Sequence, residues 1–232
     1  MSAPHHAKRN RTARILAAGA AALSAAFSMA SPALATDEAF ELWFSPSIGT
    51  DLDDDTAIEL ETAQRSRDSD DGRVDTYFFR FWVKQKLADN VTLAGAVEKR
   101  INDGGSDELR TMQQVSTSHG ILRTRLRLEE RFVEDRGGRM GLRLRPRVGV
   151  KFPLSADGRW SAGTDAELFW TLRGTSMGGD TGITGLRTQI GVGYDVSDNL
   201  SLGLTYLRQQ DFEDNGPDEV GHAPVIGIEY TF

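Results

Sequence analysis

Leu122-Arg123-Thr124-Arg125-Leu126-Arg127-Leu128-Glu129-Glu130-Arg131 is the stretch on which the fold turns. Leu122, Thr124, Leu126 and Leu128 share one parity, and Arg123, Arg125, Arg127, Glu129 and Arg131 share the other. Successive side chains of a β-strand point to opposite faces, so this pattern describes a strand with one apolar and one charged face. The following segment repeats it, with Leu142, Leu144, Pro146, Val148 and Val150 set against Arg143, Arg145, Arg147 and Lys151. In water such a strand would bury its apolar face and solvate the other. The length and number of these segments point instead to lipid.

Working outward, segments of alternating residues occupy 39–49, 55–65, 73–87, 91–102, 108–118, 120–133, 139–153, 158–173, 183–196, 200–212 and 222–232, separated by Gly, Asp, Asn and Ser. A tilted strand crosses a bilayer in about nine to eleven residues, whereas strands of soluble proteins average nearer five or six. The connections alternate as well. Those around Asp89, His119, Ala156 and Asp198 are short, and 103–107, 134–138, 174–182 and 213–221 are longer, as periplasmic turns and extracellular loops are. Tyr77, Phe79, Phe81, Trp160, Trp170, Tyr194, Tyr206, Tyr230 and Phe232 fall on the apolar parity, where aromatic rings mark a membrane interface. The expected fold is an all-β, antiparallel transmembrane β-barrel of 10–12 strands. Bacterial single-chain barrels have even strand numbers, so with eleven segments either one is misdivided, making ten or twelve strands, or the first lies in the lumen, and twelve is the count expected.

The N-terminal residues fit that compartment. Lys8, Arg9, Arg11 and Arg14 precede an Ala-rich apolar core from Ile15 to Met29, followed by Ala33-Leu34-Ala35. This is the order of a secretory signal peptide over 1–35, with the barrel over 36–232. The basic residues form no twin-arginine pair, so export by the general secretory route to the outer membrane of a Gram-negative bacterium is expected. Without the leader, 23 basic residues face 34 acidic ones, a net charge of −11 that argues against a nucleic-acid partner. The chain contains no cysteine, which excludes disulfides, thiolate metal sites and lipoprotein anchoring.

Glu41-Leu42-Trp43-Phe44-Ser45-Pro46-Ser47, the run from Arg143 to Leu154 and Asp165-Ala166-Glu167-Leu168-Phe169-Trp170 resemble an uncharacterised bacterial family catalogued as a domain of unknown function (2490). The resemblance covers essentially all of the mature chain. It implies an outer-membrane barrel and assigns neither an activity nor functional residues.

Candidate chemistry lies on the charged parity. Glu59, Glu61, Glu98, Glu129, Asp165, Glu167 and Glu229 are expected to face Arg80, Arg123, Arg125, Arg127, Arg143, Arg145, Arg147 and Arg187 across the lumen. Charges inside a narrow barrel must be paired or hydrated. Full pairing gives a plugged structural barrel, and incomplete pairing gives a narrow pore that favours anions. Centring the 153–158 turn on Ala156 sets Arg145 opposite Glu167 and Arg147 opposite Asp165. The preceding hairpin, with pairing positions summing to 272, sets Glu129 opposite Arg143 and Arg127 opposite Arg145.

Two other function classes can be formulated. Gly174-Thr175-Ser176-Met177-Gly178 has the spacing of a hydrolase nucleophile turn, and His222 is the available base, so the enzymatic alternative is a lipid hydrolase or acyltransferase. No helix follows Ser176 to build the turn that this chemistry needs. The third class, a soluble periplasmic ligand-binding barrel, requires an apolar cavity and a polar exterior. Asp51, Asp53 and Asp55 have calcium-loop spacing but lack its glycine and its terminal glutamate. No metal or cofactor is expected. Tyr230 and Phe232 end the last alternating strand and resemble the assembly signal read by the barrel-assembly machinery. The remaining expected partners are outer-membrane lipid and lipopolysaccharide, around a monomer.

Overall fold

A computed structural model describes residues 37–69, 72–213 and 216–232; the segment read as a signal peptide lies outside them. The described residues form β1 (Asp37–Asp51), β2 (Thr56–Ser69), β3 (Gly72–Ala88), β4 (Val91–Asn102), β5 (Glu108–His119), β6 (Leu122–Val133), β7 (Met140–Pro153), β8 (Trp160–Arg173), β9 (Gly182–Asp195), β10 (Leu200–Asp211) and β11 (Glu219–Thr231). They close into one barrel in sequence order. Every neighbouring pair is antiparallel except the closing one. There β1 runs parallel to β11, from Asp37 beside Glu219 to Gly49 beside Thr231.

That seam corrects the expected count of twelve. An even number follows when the first and last strands meet antiparallel. Here β1 starts at the end of the barrel where β11 also starts, so eleven strands close without a misdivided segment.

Alternation accounts for the wall. In β4, Leu93 and Val97 are exposed while Ala94, Ala96 and Glu98 are buried. Small and charged residues take the interior, and branched apolar residues take the exterior. Phe79, Phe81, Val97, Ile190 and Leu204 are each about half exposed on the outer face. The tight turns use backbone conformations that favour glycine: Gly120 joins β5 to β6 at φ 58°, and Gly158 sits at φ 75° between β7 and β8. At that same end Asp53 closes the β1–β2 turn. Its carboxylate accepts the N–H groups of Asp55 at 2.9 Å and Thr56 at 2.7 Å, which holds its pKa below the ordinary carboxylate value. The spacing that imitates a calcium loop is thus occupied by a turn cap. The longer connections, 103–107, 134–139, 174–181 and the described residues between β10 and β11, 212–213 and 216–218, all lie at the opposite end.

Register positions the lumen. Between β6 and β7, Glu129 stands opposite Arg143 and Arg127 opposite Arg145, as the sequence predicts. Between β7 and β8 the expected register is corrected by two residues, because Arg147, rather than Arg145, stands opposite Glu167, and Gly149 stands opposite Asp165. The turn is centred one residue later than expected, with the Leu154 N–H on the Trp160 carbonyl at 2.8 Å and the Gly158 N–H on Ser155 at 3.2 Å. A shift of two keeps every side chain on its face.

Candidate functional site: the charged lumen

Contacts between strands that are not neighbours in the ring identify the inward side chains. Arg125 of β6 bonds Glu167 of β8, Arg147 of β7 reaches Gln189 of β9 at 3.0 Å, and the Arg187 guanidinium of β9 lies 5.3 Å from the Trp43 ring of β1. These contacts cross the interior.

A few buried carboxylates each organise several arginines. Glu129 has no exposed surface and receives Arg143 Nη2 at 2.7 Å and Arg145 Nη1 at 2.6 Å, with Arg127 Nη1 4.0 Å away. Glu98, equally enclosed, bonds Arg80 and lies 3.2 Å from Arg100 Nη2 and 3.5 Å from Arg110 Nη1. Glu167 is shared by Arg125 and by Arg145 Nη2 at 2.6 Å. Glu108 is shared by Arg110 at 2.6 Å and Arg131 at 2.5 Å. Glu61 receives Arg80 at 2.7 Å, and Glu41 receives Arg65 at 2.9 Å with Arg67 at 3.8 Å. Glu59 pairs with Lys84 at 2.8 Å, and Asp165 pairs with Arg147. The Arg145–Glu167 and Arg147–Asp165 contacts expected as direct cross-strand pairs are made diagonally.

Aromatic rings support these guanidinium groups. Phe169 lies 4.6 Å from Arg145, 4.9 Å from Arg143 and 5.2 Å from Arg187, and Trp43 lies 4.4 Å from Arg65. Trp82 lies 5.0 Å from Arg127, and Phe78 lies 5.0 Å from Arg80. A cation over an aromatic face gains from the ring's negative face while keeping its N–H groups free at the edge.

Two arginines are oriented by neutral amides. Arg127 directs Nε and Nη2 at Gln114 Oε1, at 2.9 and 2.7 Å. Arg187 directs the same two donors at Gln209 Oε1, and among the described residues no carboxylate pairs with it. A neutral amide therefore orients each fork without adding a counter-charge; Glu129 lies 4.0 Å from Arg127, and Glu167 stands opposite Arg187 in the β8–β9 register.

The lumen is not filled along its length. A cavity of about 420 Å³ is walled by eleven arginines together with Trp43, Phe78 and Phe169. A second, of about 470 Å³, opens toward the short turns and is lined by Gly149, Gly163, Gly191, Ser161 and Thr205. The two share Arg125, Arg147, Gln189 and Thr205. Inward glycines widen this end: Gly203 faces Gly193 on one side and Gly227 on the other, and a Cβ on Gly203 would meet no atom within 4 Å.

Two expected lumen charges lie at the mouth rather than in the packed interior, and Arg123 lines the cavity that opens there. Arg123 is exposed at the short-turn mouth and donates to the carbonyls of Gly120 at 2.5 Å and Leu122 at 2.9 Å. Glu229 is also exposed, beside Ser201 and Ser47, without an ion pair among the described residues. Each stands where its strand leaves the packed interior. Sequence reasoning missed Glu41, Arg65, Arg67, Arg100, Glu108 and Arg110 and did not assign Arg131, although all lie on inward parities. It also missed the inward Trp43, Phe78, Trp82 and Phe169. In Tyr77-Phe78-Phe79-Arg80-Phe81-Trp82 both faces carry aromatics, so ring position alone does not distinguish them.

The enzymatic pair is not assembled. His222 lies on the outer face of β11, where its Nδ1 contacts the Tyr206 hydroxyl at 2.6 Å and its ring stacks on Phe40 at 5.2 Å. Ser176 lies in the loop after β8, and its carbonyl accepts the Gly179 N–H at 3.3 Å. Strands β9 and β10 separate the two in the ring.

Solved structures similar to this chain include the KdgM porin and the KdgM porin in complex with disordered oligogalacturonate. Each is 8% identical to this chain, covers 83% of it and 99% of its own length, and superposes with a TM-score of 0.46. No curated protein matches the chain. The model of the family described as "Protein of unknown function (DUF2490)" matches residues 40–220, and the chain belongs to that family.

Proposed function

We propose that this protein is an outer-membrane β-barrel of a Gram-negative bacterium whose lumen is a narrow, hydrated, anion-favouring passage. One observation carries the reading: the barrel is apolar outside and arginine-rich inside. Phe79, Phe81, Val97, Leu109, Leu126, Val148, Trp170, Ile190 and Leu204 form an exposed outer surface too extensive for a monomer in water. Lipid removes that conflict, because only a closed barrel or a helix pairs all its backbone polar groups within a bilayer. A soluble ligand-binding barrel would need the two faces exchanged. The adjoining cavities supply the passage, and the shared Arg125–Glu167 and Arg147–Asp165 contacts make it narrow.

In this reading residues 1–35 direct general secretory export, Tyr230 and Phe232 engage the assembly machinery, and the barrel contacts lipid and lipopolysaccharide as a monomer. The Phe232 side chain is suited to that encounter. It is 70% exposed, with its ring edge-on to Tyr230 at 5.1 Å, while its N–H bonds the Gly49 carbonyl across the seam.

Fractionation tests the compartment. The wild-type chain is expected in the outer-membrane fraction with a gel mobility that changes on boiling. Deleting Phe232 should lower that level and raise periplasmic degradation, because the exposed ring contributes to recognition more than to the finished wall. A soluble wild-type chain with unchanged mobility would reject the membrane reading, and normal levels of the deletion would reject the terminal signal.

A further inference from the structure

We propose that the arginine-walled chamber is a binding site for compact polyvalent oxyanions, the chemical class of pyrophosphate and citrate, with the glutamine-held Arg127 and Arg187 as its contacts. This rests on the reading of the lumen as water-accessible. Charge is the first argument. Eleven arginines line the chamber against three lining carboxylates, Glu61, Glu167 and Asp211, and the further carboxylates that reach these arginines are each shared, Glu129 among three of them and Glu98 among three, so positive charge is in excess. Arginine stays protonated, so the excess cannot be removed by titration and must be met by water or by an anion.

Orientation is the second argument. Gln114 and Gln209 each accept two donors from one guanidinium, fixing Arg127 and Arg187 while adding no negative charge. Trp82 lies beside one and Trp43 and Phe169 beside the other, at 5.0 to 5.3 Å. Preoriented forks of this kind suit the paired oxygens of phosphate and carboxylate groups. A monovalent spherical ion would use neither the forks nor the full excess of positive charge. The cavity of about 420 Å³ has room for an ion larger than chloride.

The same geometry supplies the test. Gln114→Glu with Gln209→Glu keeps both side-chain shapes but adds carboxylates next to the two arginines, at position 209 in place of an amide whose Nε2 also donates to Asp211 at 2.7 Å. The full barrel in detergent would be titrated calorimetrically with pyrophosphate and, separately, citrate at constant chloride, and both ions would be applied to single channels in planar bilayers. Wild-type protein should bind at least one of them and show its conductance blocked by it. The double variant should weaken binding by about tenfold or more while retaining heat-modifiable mobility, since each lost charge-assisted contact is a large share of such an affinity. Arg187→Gln, which removes one contact directly, should weaken binding similarly and provides the test if the double variant does not assemble. Stronger binding of pyrophosphate would assign the phosphate class, and stronger binding of citrate the carboxylate class. Anion conduction without binding, or affinity unchanged in the variants, would overturn the site and leave the passage standing. Binding with the expected variant effects but no conduction would support the site and reject the passage.

Discussion

Glu129→Gln should lower the temperature at which the barrel loses its compact gel mobility far more than Asp198→Asn in an exposed turn. Glu129 is fully enclosed, and both its oxygens are used, one by Arg145 at 2.6 Å and the other by Arg143 at 2.7 Å. Glutamine is nearly the same shape but replaces one acceptor with an N–H₂ group directed at a guanidinium. Two cations then lose their shared counter-charge in a space they cannot leave. Removing one partner of a buried ion pair costs about 3–5 kcal/mol. Asp198 is exposed in the turn between β9 and β10 and carries no comparable set of contacts. Melting curves of the two variants followed by gel mobility provide the comparison. Equal shifts would mean that water, rather than Glu129, compensates Arg143 and Arg145.

Gly203→Trp should reduce single-channel conductance severalfold while leaving assembly and thermal mobility intact or improved. Gly203 sits in an inward row with Gly193 and Gly227, and no atom lies within 4 Å of where its Cβ would stand. The indole would therefore extend into open lumen without displacing the wall. Glycine weakens a strand and tryptophan favours one, so the substitution should not cost stability. Conductance and boiling-dependent mobility measured on the same preparation separate blockage from misfolding. Unchanged conductance in a properly assembled variant would place the ion path away from the glycine row.

The fold was legible because a barrel wall obeys a period of two over its whole length. All eleven strands coincide with alternating segments, including the β6–β7 register that sets Arg127 opposite Arg145. The strand count was misjudged because alternation specifies faces and says nothing about which way the closing pair runs. The β7–β8 register failed for a local reason. Asp157-Gly158 moves the turn, with Gly158 at φ 75° and the Asp157 carboxylate capping the Arg159 N–H at 3.1 Å, and this dipeptide was the available signal.

The site was less legible than the wall. Parity gives inward direction but not depth, so Arg123 and Glu229 at the mouth look the same as Arg127 and Glu129 in the packed interior. Arg110 and Arg100 meet at Glu98 from adjacent strands, a convergence that depends on register and stagger. The two amide-held arginines are marked by their partners, Gln114 and Gln209, which are ordinary polar residues in sequence. Their meaning comes only from the forks they hold.

The measurement that bears most directly on a membrane barrel with a net-positive lumen is the reversal potential of the purified chain in a planar bilayer under a KCl gradient. A chamber in which eleven arginines outnumber the lining carboxylates predicts a potential of the sign set by chloride permeating faster than potassium. A potential of the opposite sign, or no conductance from a barrel shown by its mobility to be assembled, would contradict the account.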